Sequence, residues 1–320
     1  MIYMILFLIS FVLTYLIKSY AIKKSLLAVV NERSSHSVPT PHGGGIALAL
    51  SWFAGLVYLY FIDEIDPSLF YALLVGAVIC IVSFFDDMYE LSAKLRLTVQ
   101  SCVAVIGLLL MGGFERLDFG IFIIENQVIT NIFAFLLIVW FINLYNFLDG
   151  INGYAGSEAV FLAFAGFILF GGSHFIVLAV AVLGFLVWNY NQAKIFMGDV
   201  GSTLLGYNIA IFTIYYANEE STNFWIWIIL FALFWFDATV TLIRRKLNGE
   251  KLSQAHKKHA YQRLTQADWS HFKVTNYAIV INLLLFGIVM SVSNIFVAVI
   301  VTLILLLSTM LFIDKKKAFN

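Results

Sequence analysis

The chain alternates between apolar stretches of about twenty residues, the length that crosses a bilayer as a helix, and short polar connectors. Eleven such stretches lie near 2–21, 44–62, 69–86, 95–112, 131–147, 155–171, 174–190, 201–217, 222–243, 274–292 and 294–313. They predict an all-α polytopic membrane protein of about eleven transmembrane helices, forming a single domain over 1–320. The first stretch, MIYMILFLISFVLTYLIKSY, has no basic leader and no small-residue cleavage site, so it reads as a retained span. The connector 112–131 alternates weakly and predicts a short β-hairpin with Glu125-Asn126 at its centre.

Composition agrees with the pattern. The chain is 62% hydrophobic and 12% charged, and soluble domains carry roughly twice that charge. Net charge is zero, which gives no global attraction to nucleic acid. Cys80 and Cys102 both lie in apolar runs and read as small core residues, not as a disulfide. Basic residues fix the orientation. Of the 19 Lys and Arg, 18 fall in one alternate set of connectors and Arg116 alone falls in the other. The N-terminus is therefore expected outside and the C-terminus in the cytosol.

The outer connectors (IDEIDPS, FERLD, ANEES) are acidic and unpatterned. The inner ones carry chemistry: 34–45 (SSHSVPTPHGGG), 84–96 (FFDDMYELSAKLR), 143–156 (NLYNFLDGINGYAG), 189–202 (NYNQAKIFMGDVGS) and 244–264. Asp86 and Asp87 close the third span at lipid depth, where carboxylates are costly unless paired. Lys94 is near enough in sequence to pair with either. Two adjacent acids suit a hard cation such as Mg²⁺ or a proton transfer; solvated headgroup-level acids are the plain alternative. Asn143, Asn146 and Asp149 follow each other at i+3 and would share one helix face, with Gly150 and Gly153 allowing a turn and a close backbone approach. Asn and Gly as ordinary helix stops explain the glycines but not the polar stripe. Asp199, in FMGDVGS, reads as a metal ligand at a helix start that could hold a diphosphate, or as a plain N-cap. Phe196 could stack on a base. His256 and His259, with Lys257, Lys258 and Arg263, look built for phosphate, against a basic loop held by anionic lipid. Arg244-Arg245-Lys246 fits that lipid reading. His36 and His42 read as solvated loop histidines, and His174 and His271 as structural. Glu158 and Asp237 are acids within spans and need partners.

Together these stretches resemble the polyprenyl-phosphate N-acetylhexosamine-1-phosphate transferases. PTPHGGG, FFDD with SAKLR, NLYNFLDGING, FMGDVGS and the late histidine loop occur in that family's order, from about residue 36 to 264. The resemblance implies transfer of a sugar 1-phosphate from a UDP-N-acetylhexosamine to undecaprenyl phosphate, with release of UMP. It implies Mg²⁺, with Mn²⁺ as a substitute. It also implies a multi-pass protein of the bacterial plasma membrane with its active site on the cytosolic face, and leaves a homodimer open. By similarity, Asp199 matches the metal-binding aspartate. Asp86 and Asp87 match the aspartate pair proposed to supply a base or nucleophile. Asn146, Asp149 and Asn152 match the stretch that meets the nucleotide, and Phe196 an aromatic near uracil. His256 and His259 fall in the phosphate- and sugar-binding loop. Two departures matter. PTPHGGG replaces the PTMGG of the pentapeptide translocases, and HKKHAYQ replaces adjacent histidines. The HxxHAYQ form looks closer to the O-antigen-initiating branch, some of whose members use 6-deoxy sugars such as N-acetylfucosamine or N-acetylquinovosamine. A transporter or flippase of a lipid-linked sugar is the rival, expected to bind near mid-bilayer; a basic scaffold at the membrane leaves the aspartates unexplained.

Overall fold

The computed structural model describes residues 1–24, 27–28, 39–89, 91–252, 254 and 256–319. His36, with the rest of 34–38, and residues 90, 253 and 255 of the candidate loops lie outside the described residues.

Helices occupy all eleven apolar stretches. They are α1 (Ile2–Lys23), α2 (Gly44–Phe61), the collinear pair α3 (Pro67–Leu74) and α4 (Gly76–Tyr89), α5 (Ala93–Leu110), α6 (Gln127–Phe147), α7 (Tyr154–Phe170) and α8 (Ser173–Asn189). There follow α9 (Asp199–Glu219), α10 (Thr222–Leu230), α11 (Ala232–Leu247), α12 (Ala260–Gln266), α13 (His271–Ser291) and α14 (Ile295–Lys316). Two short antiparallel ladders complete the elements: β1 (Leu27–Ala28) with β2 (Thr40–Pro41), and β3 (Leu117–Asp118) with β4 (Ile123–Ile124). The second is the predicted hairpin, but its turn lies earlier than Glu125-Asn126. Asn126 instead caps α6, accepting from the N–H groups of Val128 and Ile129.

Among the described residues, seven helices are long and apolar enough to cross a membrane, taking α3 and α4 as one. The pair α10 and α11, bent by 74°, makes an eighth if it is one span. The apolar helices α7 and α8 are shorter, and α9 is more polar. The chain is thus a mostly helical, multi-pass protein. The polarity of α9 has a packing cause. It is buried almost all round and packs against α2, α4, α6, α7 and α10, so its side chains meet protein instead of lipid. A central post of this kind can carry Asn208 and Thr213, both fully buried, without facing hydrocarbon.

Close packing around that post runs through glycine. A Cβ on Gly45 of α2 would strike the backbone of Gly201 and Met197, neither of which can swing aside. The start of α2 is therefore pressed against the start of α9. The ends of α4, α6 and α8 and the starts of α5, α7 and α13 gather at the same end of the bundle, where Tyr261 of the short α12 donates to Phe147 O at the end of α6.

Candidate active site

Two clefts open at this end and share a wall. The first, about 750 Å³, lies between α4, α5, α6 and α9 and mixes apolar groups (Ile79, Val82, Leu97, Val99, Phe147) with Asp86, Arg96, Gln100 and Asn143. The second, about 940 Å³, is built mainly from loop residues, among them His42, Asp149, Asn152 and Phe196, with Asp87 of α4, Gln262 of α12 and His271 at the start of α13. Asn146 and Asp199 line both.

Asp199 is not the N-cap of α9. That position is Gly198, with φ of +75° and no side-chain cap hydrogen bond. An ordinary residue would be strained there, and its Cβ would press on Asp87 Oδ2. Asp199 is the first residue inside the helix, with its carboxylate free of capping. Its Oδ1 accepts from Asn146 Nδ2 at 2.9 Å, and the same amide donates to Ser202 Oγ at 2.9 Å. Its Oδ2 lies 3.9 Å from the Arg96 guanidinium.

The adjacent acids part company. Neighbouring helix residues diverge by about 100°, so Asp86 lines the first cleft and Asp87 the second. Asp86 is 8% exposed and fully engaged. It accepts from Leu91 N–H at 2.7 Å and from Arg96 Nη1 at 2.8 Å, which closes the turn from α4 into α5. Lys94 does not pair with either acid. Ser92 caps α5, which turns Lys94 outward in the first turn, exposed and without an ion pair among the described residues. Arg96 reaches Asp86 in its stead, and sequence reasoning missed it.

The polar stripe on α6 is shorter than its spacing predicts. The helix ends at Phe147, and Asp149 lies beyond the C-cap Leu148. A hydrogen bond from Asp149 N–H to Asn146 O at 3.2 Å keeps it at the cleft. Burial, and then the carboxylates of Asp199 and Asp87, raise the Asp149 carboxyl well above its ordinary range. Asn143 faces the first cleft and ties α6 to α5 by donating to Gln100 Oε1 at 2.7 Å. Asn152 spends its amide on Asn191 O at 2.9 Å, and its backbone N–H meets His271 Nδ1 at 3.4 Å. The close approach at Gly150 is made by Tyr261 of α12.

The late loop departs most from expectation. His256 and His259 line neither cleft. His259 is 3% exposed because it is the N-cap of α12, with Nδ1 3.4 Å from Asp237 Oδ1. That oxygen also accepts from Ala260 N–H at 2.8 Å and Thr241 Oγ1 at 3.0 Å, so the partner Asp237 needed is the loop itself. His256 is half-buried, its ring 4.9 Å from that of His259. Burial, then His259 and Arg245, pull its pKa down to about 4. The residue of α12 that reaches the second cleft is Gln262. Arg245 is no lipid-facing base. It is 1% exposed and donates to Glu250 Oε2 at 3.0 Å, Lys251 O at 2.8 Å and Gln254 O at 3.0 Å, so the loop folds around it. Arg244 and Arg263 both clasp Asp314 at the end of α14. Glu158 finds Asn282 of α13 at 2.6 Å.

Two observations bear on a metal. Among the described residues, no three His, Cys, Asp or Glu side chains form a metal-holding group. Asp199, with Asp87 against Gly198, offers instead the one or two carboxylates that Mg²⁺ uses when substrate phosphates and waters complete its octahedron. The donor set therefore fits a cation that arrives with a phosphorylated substrate. The starts of α2, α7 and α9, capped by Gly43, Gly153 and Gly198, point their positive dipole ends at the same region.

The profile of glycosyl transferase family 4 matches residues 69–217. That segment carries the aspartate pair, the α6 stripe and Asp199. The chain is 31% identical over 274 residues to a probable undecaprenyl-phosphate N-acetylglucosaminyl 1-phosphate transferase of Bacillus subtilis (strain 168), covering 81% of this chain and 75% of that one. It is 28% identical over 304 residues to a decaprenyl-phosphate N-acetylglucosaminephosphotransferase of Mycobacterium leprae (strain TN), covering 83% and 76%. It is also 28% identical over 275 residues to a phospho-N-acetylmuramoyl-pentapeptide-transferase of Staphylococcus carnosus (strain TM300), covering 77% and 82%.

Proposed function

The chain belongs to glycosyl transferase family 4, and from that premise we propose that it transfers a sugar 1-phosphate from a UDP-N-acetylhexosamine to a polyprenyl phosphate, releasing UMP. The observation that carries this reading is the shared wall. One cleft is partly apolar and set among the helices, the other is polar and made mainly of loops, and Asn146 with Asp199 stands between them. A lipid phosphate suits the first and a nucleotide-sugar the second, so their phosphates meet at Asp199.

In the reaction an oxygen of the lipid phosphate attacks the β-phosphorus of the donor. The bond from that phosphorus to the bridging oxygen breaks, and UMP leaves with the electron pair. Arg96 faces the first cleft and holds the incoming phosphate by charge-assisted hydrogen bonds. Asp86 orients Arg96 and is not itself the base. Asp87 lies across the wall from it and is the carboxylate placed to take a proton. A phosphomonoester with a second pKa of about 6 is mostly ionised at pH 7, so a base adds little and positioning supplies most of the rate. Asp199 would hold a magnesium ion, and the ion's chemistry there would be to neutralise charge on the diphosphate. Asn146 keeps the Asp199 carboxylate turned to the wall. Asp149, Asn152 and Phe196 shape the nucleoside end.

Within this reading the eleven helical segments are eleven spans, with the clefts facing the cytosol of a bacterial plasma membrane, as the 18-to-1 split of basic residues supports. N-acetylglucosamine, named for the Bacillus and Mycobacterium relatives, is the first donor to try. A 6-deoxy N-acetylhexosamine is the second, on the form of the late loop, and initiation of O-antigen or another surface polysaccharide is the corresponding role. A flippase would bind near mid-bilayer, whereas both clefts lie at helix ends. The test is UMP release by the purified protein with undecaprenyl phosphate, Mg²⁺ and a panel of UDP-N-acetylhexosamines, with and without chelator. Magnesium-dependent release with one donor supports the transferase. No release from folded protein with any donor counts against it.

A further inference from the structure

We infer that His42 is a binding residue for the donor's diphosphate, its imidazole giving an N–H to a phosphoryl oxygen in the second cleft. This rests on the donor reading above and assigns one residue's part in it.

Backbone bonding brings His42 there. Phe196 N–H donates to Pro41 O at 2.8 Å, Gly44 N–H to Phe196 O at 2.9 Å and Gly45 N–H to Met197 O at 2.8 Å. The three bonds form a clasp that fixes the chain on both sides of His42 against the turn leading into α9. Gly43 N and Asp87 Oδ2 both crowd the open side of Gly198 in this clasp. His42 is half-buried, lines the second cleft and is near enough to Asp199 to feel its charge.

The chemistry of the cleft then asks for a donor. Its lining includes Asp87, Asp149 and Asp199 but no Lys or Arg. A diphosphate there meets carboxyl groups on several sides and no side-chain cation among the lining residues. The amides on the lining are largely spent. Asn146 donates to Asp199 and Ser202, Asn152 to Asn191 O, and Asn189 to Ile195 O. The His42 ring makes no hydrogen bond among the described residues, and an imidazole has an N–H to give in either protonation form.

The experiment compares uridine and UDP binding to the full chain in nanodiscs with Mg²⁺, by calorimetry. His42→Ala is expected to leave uridine affinity within about twofold and to weaken UDP about 10- to 100-fold, the worth of a hydrogen bond to a charged group. His42→Gln, which keeps an N–H, should recover part of the loss. Where His42→Ala melts early, His42→Phe carries the comparison, keeping a ring without the N–H. Equal weakening of uridine and UDP would make His42 a shaper of the loop and overturn the inference, as would unchanged UDP affinity. UMP release separates the two claims. A wild type that turns over with a His42→Ala variant of equal kcat/KM sinks only this inference. A wild type that binds UDP through His42 yet releases no UMP upholds it and sinks the transferase. A folded wild type that does not bind UDP overturns both.

Discussion

Asn146 of α6 holds the carboxylate of Asp199 of α9 at 2.9 Å, and the pair forms the wall between two clefts. Asn146→Leu keeps the branched outline of the side chain and removes both donated hydrogen bonds. The loosened carboxylate should lower kcat for UMP release by about 10- to 100-fold, on the scale of a lost hydrogen bond to a charged group, while the protein still folds. Full activity in Asn146→Leu would show that the wall has no catalytic importance.

Asp199 and Asp87 should respond differently to the same isosteric change. Asp199→Asn is expected to remove magnesium-dependent turnover, a loss of more than about a thousandfold. Asp87→Asn should cost nearer the lower end of the 10²- to 10⁴-fold range of a general base, because the acceptor is already ionised. The check is single-turnover UMP release across magnesium concentrations. Equal, mild losses from both would defeat this division of roles.

Arg96 and Lys94 give a sharp contrast two residues apart. Arg96→Ala takes away the guanidinium bonded to Asp86 at 2.8 Å and should raise the KM for the lipid phosphate at least about tenfold. Arg96→Lys should restore part of that. Lys94→Ala, an exposed position with no ion pair among the described residues, should stay within about twofold of wild type in both kcat and KM.

Arg245 makes a stability prediction. Its guanidinium serves three loop carbonyls and shares Glu250 with Lys258, so one buried group ties the loop together. Arg245→Ala should lower the Tm by roughly 5–10 °C and open the 250–258 stretch to proteolysis, whereas Lys246→Ala, on the exposed side of the same helix, should change neither. A melting curve and a limited digest decide it.

The late loop should also weaken in acid. In the folded chain His256 titrates at about 4, against its ordinary 6.5, because burial disfavours the imidazolium. Between those values the unfolded chain binds a proton that the folded chain refuses, so stability is full above pH 6.5 and drains away as pH falls toward 4. His256→Gln removes this linkage. Its Tm should fall less than that of wild type between pH 7 and pH 5. Parallel curves would mean that His256 is not held neutral by the fold.

Much of this was visible in the chain. Apolar runs mark every long helix, because lipid imposes that pattern directly. Asp86, Asp87, Asn146, Asp149 and Asp199 stand out because polar groups at the edge of a bilayer are few. What stayed hidden depends on phase and packing. Arg96 rather than Lys94 meets Asp86 because the break between α4 and α5 resets the direction of side chains, and no periodicity crosses such a break. His259 looks like a ligand in sequence, yet it caps a helix of seven residues too short to show an amphipathic face. Arg245 looks like a membrane-surface base until the loop is seen folded over it. His42 reads in sequence as a solvated loop histidine, and only the clasp with the Phe196 turn brings it to the cleft.

That clasp joins segments about 150 residues apart in the chain. At 5–20 residues per second, the polar start of α2 leaves the ribosome on the order of ten seconds before its partner exists. During that interval α2 sits in the bilayer without the post it packs on, and neither cleft has its wall. The site is therefore a late product of biosynthesis: its wall forms only with α9, and its second cleft is completed later still by α12 and the start of α13. Damage to α9 would be felt as failed assembly before it was felt as failed chemistry.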